Sequence, residues 1–540
     1  MRRKWMKPLS VSELRKKKMI EEYEKKQVEP YKETKLHPHL DINLNMLKDI
    51  FKDYGDLVIR PLLIGGYEEL RAALVLIDGL ASAIVVDDFI LRSLTTNVDT
   101  RFKDHLPTDP EQLKEWVKEV GLTAAEVEEA ETLADVIEAI LVGDSVLLLD
   151  QINTAFVIDT KGWEQRGVSE PNNEQVIRGP RDGFTETIRI NTALIRRRIR
   201  DPQLKLLPMK LGTRTKTDIG IMYIEGLAEK SVVNEVKSRL NNITFDGILE
   251  SGYIEQLIED HPWSPFPQVQ YTERPDKAVS HLLEGKVVIL VDGSPFVLVV
   301  PAIFIQFYHS PEDYYERFLI GSLVRVVRFI SFIFALSLPS LYIAFASFHP
   351  EMIPTKLHVA MAAGRATVPF AAIVEAFVME VAVEILREAS VRLPGLIGPT
   401  IGIVGALVVG EAAVRAGLVS PLMVIVVGLT TICSFVIPNY SAAIAVRMLR
   451  FPLMIFAAMF GLYGIMFFAI IIIIHLCSLK SFHVPYMAGF TPSRFSDLKD
   501  TLFRAPLYDM KKRPTPFNLQ NIFRQGTSNE RGGKQNDQNS

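Results

Sequence analysis

The chain of 540 residues sets 60 lysines and arginines against 63 aspartates and glutamates, a net charge of −3. That balance is too close to neutral to point to nucleic acid or an acidic substrate as partner, and the length leaves room for several domains of roughly 100–200 residues each. The two cysteines, Cys433 and Cys477, lie in or beside apolar stretches, which argues against a disulfide framework.

The averages conceal an asymmetry. Charged residues make up 23% of the chain, yet from Phe318 to Cys477 only fifteen of 160 residues are charged and none is Asp. The expected fold is therefore an α/β soluble half followed by an all-α integral membrane domain.

In chain order, residues 1–54 read as a charged N-terminal arm, rich in Lys and Glu and interrupted by Pro30 and Pro38. It suits a solvated arm with room for one charged helix; contact with a membrane surface is the second choice. Its basic opening, MRRKWMKPLSVSELRKKK, lacks the apolar run of a secretory signal, so the soluble half is expected in the cytoplasm.

A repeat follows. The run LVLIDGLA (Leu74–Ala81) is echoed by IMYIEGLA (Ile221–Ala228), 147 residues later. A second pair, SVLLLDQINTAFVID and VVILVDGSPFVLV, reads as two β-hairpins whose acids, Asp150 and Asp292, are 142 residues apart. Two similar α/β subdomains, 55–160 and 215–315, are expected from an internal duplication. The competing explanation is that strand, acid-Gly, helix is a common pattern in α/β proteins. Between them, 161–214 forms a basic connector carrying Arg178, Arg181, Arg189, Arg196, Arg197, Arg198 and Arg200. Without interleaved aromatics it reads as a basic helix packed on acidic neighbours, a sister subunit or lipid headgroups rather than as an RNA site.

The membrane domain, 316–477, contains four apolar segments long enough to span: Val324–Phe348, Leu396–Val414, Leu422–Val446 and Leu453–Leu476. Pro339 and Pro438 are expected to bend the first and third. The Leu357–Ala389 segment differs, because it carries Glu375, Glu380, Glu384, Arg387 and Glu388. The last four fall within a helical face of about 100°, with Glu375 off it. That face must meet helices, water or headgroups, since lipid-facing charge costs several kcal/mol. These five residues are the pore or gating candidates; pairing of the acids with Arg387 at the surface is the alternative. The basic tail, 478–540, is expected to be largely disordered and cytoplasmic, which requires an even number of spans. Four spans plus an interfacial or re-entrant 357–389 satisfy this, although Arg447 and Arg450 then fall on the outer side.

Gly398, Gly402, Ala406 and Gly410 form a small-residue ridge suited to close helix packing. At the membrane junction, Tyr314, Tyr315 and Arg317 suit interfacial anchoring or transmission of an opening motion. No GxxxxGK[ST], GxSxG, HExxH or CxxC motif occurs, the closest histidines are His37 and His39, and Gly65-Gly66 reads as a turn. No enzyme, catalytic residue, cofactor or metal is expected.

The runs RGPRDGFTE, NTALIRRRI, ESGYIEQLIED, SPFPQVQYTERPDK, SPEDYYERF, FHPEMIPT, IPNY and DLKDTLFRAPL, in this order, resemble the A subunit of GerA-type spore germination receptors, from about Leu57 to Leu507. The resemblance implies residence in the inner membrane of the dormant spore with the soluble half toward the core. It implies a transporter-like B subunit that senses germinant, a C-subunit lipoprotein, and a homo-oligomer, expected as a pentamer, forming a ligand-gated cation channel. A related paralogue accompanies the dipicolinic acid channel; the full-length soluble half favours the receptor subunit. A non-conducting scaffold is the alternative function. A secondary transporter fits less well, because the duplication lies in the soluble half and not among membrane helices.

Overall fold

Short runs of branched apolar residues build the N-terminal half as two sheets. The computed structural model describes residues 34–64, 70–95, 110–118, 126–162, 173–392, 410–490 and 500–510, with a few isolated positions besides. Strands β1 (Leu57–Leu63), β2 (Arg71–Ile77), β3 (Val127–Ala130), β4 (Ser145–Leu149) and β5 (Ala155–Ile158) form one five-stranded sheet in the order β1-β2-β4-β5-β3. Strands β6 (Leu204–Leu211), β7 (Thr217–Ile224), β8 (Gln270–Thr272), β9 (Val287–Val291) and β10 (Val297–Val300) form the second, in the order β6-β7-β9-β10-β8. Every pairing is antiparallel, and the two connectivities are the same. The echoed runs occupy matching places: LVLIDGLA ends β2 and IMYIEGLA ends β7, while the paired hairpins are β4–β5 and β9–β10.

Each sheet is covered on both faces, which is why its central strands are continuously apolar instead of alternating. Along β2, Ala73, Val75 and Ile77 enter one core and Ala72, Leu74 and Leu76 the other. All five residues of β9 are fully buried, split the same way. Helices α1 (Leu40–Ile50) and α2 (Leu133–Val142) cover one face of the first sheet. Helix α3 (Ile188–Arg196) covers the second sheet on one side, and α4 (Lys230–Asn241) and α5 (Ser251–Ile258) cover it on the other, with α6 (Pro275–Leu283) beside α3.

Three expected boundaries shift. The arm does not extend to residue 54: Leu40, Leu44 and Leu47, spaced for one helical face, seat α1 in the first core. The connector does not extend to 214, because β6 is an edge strand of the second sheet and α3 packs into its core. The tail does not begin at 478 as a disordered segment. Strands β11 (Lys480–Ser481) and β12 (Val484–Pro485) make a hairpin whose Phe482 is buried in the second sheet's core. Ser481 Oγ donates to the Gln268 carbonyl at 2.8 Å and Tyr486 Oη to the Pro267 carbonyl at 2.7 Å.

Most of the connector's arginines are paired with carboxylates. Arg189 pairs with Asp78, Arg198 with Asp182 and Arg181 with Glu170. Arg196 is the buried one: it grips both oxygens of Asp56 at the start of β1, donates to the Leu204 carbonyl at 3.2 Å, and lies 4.1 Å from the Tyr54 ring centroid. It thereby ties the first sheet to the second.

The C-terminal half is helical: α7 (Phe318–Ser347), α8 (Thr355–Arg365), α9 (Ala372–Arg392), α10 (Pro421–Phe435), α11 (Tyr440–Phe460) and α12 (Leu462–Ser478). By length and composition α7 and α11 are able to cross a membrane; α10 and α12 are shorter apolar helices. The apolar stretches are divided differently from their hydropathy limits. Leu422–Val446 breaks at Pro438, where Asn439 caps α11 by accepting from the Ala442 N–H at 2.9 Å. Leu453–Leu476 breaks at Gly461, whose φ of +59° ends α11. Leu357–Ala389 is two helices, α8 and α9, with Pro369 between them. Most of Leu396–Val414 lies outside the described residues.

Replacing Arg196 by Ala leaves the Asp56 carboxylate buried without its partner. Breaking such a pair costs about 3–5 kcal/mol, so thermal unfolding of the purified chain should shift down by several degrees; an unchanged midpoint would show the pair to be dispensable.

Candidate functional site

Helix α9 is the only described helix of the apolar half with several acids along its length. Its sequence, AIVEAFVMEVAVEILREASVR, is rich in Ala and straight-chain residues that lose little entropy in a helix. Glu375 is fully buried. It accepts from Arg365 Nε on α8 at 3.2 Å and from the Ser420 N–H at 3.0 Å. Ser420 is the N-cap of α10, so this carboxylate also sits at the favourable end of that helix dipole.

Glu380 is buried and pairs with Arg450 of α11. The same guanidinium donates through Nε to the Ala335 carbonyl on α7 at 2.7 Å. That carbonyl is free because Pro339, four residues on, has no N–H to offer it. Arg450 thus repairs the gap made by Pro339 and neutralises Glu380 in one contact set. Helix α7 accordingly runs on through Pro339.

Glu384, 45% exposed at its side chain, accepts from Arg387 at 3.1 Å and from Arg447 of α11 at 3.1 Å. Arg387 also donates to Ser434 Oγ at 3.0 Å and stacks 4.9 Å from the Phe435 ring centroid. Glu388 is exposed. Burial therefore falls along the face from Glu380 through Glu384 to Glu388. Arg365, Arg447 and Arg450, the partners of these acids, were not among the sequence candidates. The signal was present: arginines at 447 and 450 in an apolar helix match glutamates at 380 and 384 in another.

Of the small-residue ridge, Gly398, Gly402 and Ala406 lie outside the described residues. Gly410 is buried, and a Cβ there would stand 3.4 Å from Val424 of α10. Among the described residues no three His, Cys, Asp or Glu side chains form a group able to hold a metal.

The junction is built around Asp313. Its carboxylate, 2% exposed, accepts from Arg325 Nε at 3.0 Å and from Arg328 at 2.7 Å. Arg325 also donates to Asp500 at 2.8 Å, as does Tyr314 Oη at 2.8 Å, and Arg504 donates to the Glu316 carbonyl at 2.8 Å. Tyr315 Oη donates to Asp276, which also holds Arg274. Tyr314 and Tyr315 are thus bound to carboxylates of the α/β half and the C-terminal segment, while Arg317 is exposed at the N-cap of α7. Burial against the Asp500 charge holds the Tyr314 hydroxyl well above its ordinary pKa.

Between the α/β half and the helices lies a cleft of about 800 Å³. Arg387, Arg447 and Tyr440 face it from the helices; Glu250, Glu255 and Tyr271 face it from the second sheet unit. Burial, reinforced by Glu259 and Glu250, pushes the Glu255 carboxyl up to about 8.

Two outcomes follow. Arg450→Met strips the partner from buried Glu380 and from the Ala335 carbonyl, a loss of about 3–5 kcal/mol. Adding Glu380→Leu should recover part of it, and a double variant no more stable than the single would refute the pairing account. For Glu255, folded chains keep a proton that unfolded chains release near the ordinary value of 4.5. Stability from this group is therefore lost as pH rises from about 4.5 to about 8. Glu255→Gln should match the wild type in melting temperature near pH 4.5 and exceed it at pH 8.

A family model described as Bacillus/Clostridium GerA spore germination protein matches residues 45–516. The chain is 43% identical over 479 residues to the uncharacterized membrane protein YfkQ of Bacillus subtilis (strain 168), covering 89% of this chain and 91% of that protein. It is 44% identical over 471 residues to spore germination protein KA of the same organism, covering 87% and 85%. The crystal structure of the N-terminal domain of the A subunit of the Bacillus megaterium spore germinant receptor GerK3 aligns at 38% identity over 50% of this chain and 98% of that one, with a TM-score of 0.40. With a match across most of its length and relatives above 40% identity, the chain belongs to the GerA spore germination protein family.

Proposed function

We propose that the chain is the membrane-embedded A subunit of a nutrient germinant receptor that triggers endospore germination, and that copies of it assemble around an axis into a ligand-gated cation channel. The observation that carries this reading is the graded carboxylate face of α9. Val378, Val381 and Ile385 are exposed beside Glu384 and Glu388. A carboxylate turned to lipid costs several kcal/mol, so these two belong against water or a neighbouring copy. Repeated by symmetry they make carboxylate rings, a common device for cation selectivity.

Helices α7 and α11 have the length to span, α12 is at the lower limit of about 17 residues, and a relative 43% identical carries the name membrane protein. Arg447 and Arg450 lie inside α11 and are held by carboxylates of α9, so they are not flanking charges that set orientation, and the reading keeps an even number of spans with both ends inside. The soluble half and tail then face the cytoplasm or spore core, with α9 interfacial or re-entrant in the inner spore membrane. A transporter-like B subunit and a lipoprotein C subunit are the partners the family arrangement supplies. The shared connectivity of the two sheets supports an origin by duplication.

A specific observation favours the second reading, a non-conducting scaffold for those partners. Glu380 and Glu384 are both neutralised within one chain, by Arg450, Arg447 and Arg387.

Glu384→Gln should lower germinant-triggered K⁺ efflux from spores without lowering the protein level, and the purified chain should run as a symmetric oligomer in detergent. Unchanged efflux, together with no single-channel conductance from reconstituted receptor, would leave the scaffold.

A further inference from the structure

The cleft between the second sheet unit and the helices is lined by three arginines, each with a buried Nε–H that is unused. Arg274 is 1% exposed; its terminal nitrogens reach the Glu174 carbonyl at 3.1 Å, the Pro180 carbonyl at 2.9 Å and Asp276 at 2.9 Å. Its Nε–H has no acceptor. Arg447, 7% exposed, spends one terminal nitrogen on Glu384, and its Nε–H is likewise buried without an acceptor. Arg387 repeats the arrangement, with its terminal nitrogens on Glu384 and Ser434 and a buried Nε–H unpaired. All three side chains line the same cleft. A buried donor left unmade costs about 1–3 kcal/mol, and more on a charged group, so three of them on side chains that line one cleft call for an acceptor that the described residues do not supply.

The acids of the cleft do not supply it. Glu174 is taken by Lys277 and Thr272, and Glu250 by Ser251, Ser294 and the Gly252 N–H. Glu255, pushed up to about 8, is protonated at neutral pH and adds no negative charge. At about 800 Å³ the space exceeds by far the roughly 30 Å³ share of a single water.

We propose that this cleft binds an oxyanion, a carboxylate or phosphate group whose oxygens accept from Arg274, Arg387 and Arg447. Guanidinium is suited to this, because it is always charged and meets planar or tetrahedral oxyanions with directed donors. The same chemistry is offered by a small soluble anion and by the headgroup of an anionic phospholipid reaching the cleft from the bilayer side. An occupant there also engages the two arginines that hold Glu384, so occupancy and the state of the α9 face are linked. The site does not depend on whether the chain conducts.

The test uses the full-length chain in detergent at constant ionic strength. Isothermal titration with inorganic phosphate and with acetate forms one arm, and mixed micelles of phosphatidylglycerol or phosphatidylcholine form the other. At least one anionic probe should bind saturably below about 10 mM, a range that covers millimolar affinity, while phosphatidylcholine should not. Binding of phosphate or acetate identifies a soluble ligand, and binding of phosphatidylglycerol alone identifies a lipid headgroup; either supports the site. Arg387→Gln should weaken binding about tenfold or more, as expected for loss of a charge-assisted hydrogen bond. Arg447→Lys keeps the charge and the Glu384 pair but removes Nε–H, so it should fold normally and still weaken binding several-fold. No saturable binding of any anionic probe to the wild type, or equal binding by a folded Arg447→Lys chain, overturns the proposal.

Discussion

Arg450 makes the contact on which the helical half depends. A proline inside α7 leaves a carbonyl without its donor, and an acid inside α9 leaves a charge without its counter-ion. Either alone is costly in an apolar interior, where an unmatched polar group loses its solvation and gains nothing. One guanidinium resolves both, because it offers several N–H groups in fixed directions and carries the opposite charge. A lysine would meet the charge but not the carbonyl and carboxylate together. The arrangement locks three helices at one point, and the rest of the α9 face is then graded outward from it.

The junction applies the same rule at the base of α7. Asp313 draws Arg325 and Arg328 of α7 back onto the α/β half, while Asp500 and Arg504 bring in the C-terminal segment. Gly321 is needed there, since a Cβ would stand 2.8 Å from the Asp313 carbonyl oxygen. The second sheet unit is thereby joined through these charges to α7, a helix of 30 residues. Arg196 and Asp56 do for the two sheet units what Asp313 does for the sheet and helix halves, so both of these interfaces contain buried charge that is paired. Such pairs contribute modest net stability, but they penalise any packing that separates them.

Much of this was legible in advance, element by element. The echo of LVLIDGLA in IMYIEGLA marked equivalent strands because both runs must be buried on two faces, which leaves little choice but branched apolar residues. The acids of the 357–389 segment stood out because charge is rare in an apolar stretch. Helix ends were less legible. Hydropathy windows ran straight across Pro438 and Gly461, since composition averages over a break that a single backbone conformation makes. The start of the first sheet unit was missed for the opposite reason: α1 has only a narrow apolar stripe inside a charged region.

The sequence by itself determined the strands of the echoed runs (β2, β4, β5, β7, β9 and β10), the apolar character of the helical half, the repeat in the N-terminal half, and that one segment carries an acidic face. These are local properties, written in periods of two or 3.6 residues. Only the tertiary structure decided what the acidic face meets. Glu380 and Arg450 are 70 positions apart, and Arg450 and Ala335 are 115 apart, a separation no periodicity spans. The cleft and its unused donors are likewise products of packing two halves together. Charge pairing is set by proximity in space, which the chain order constrains only weakly.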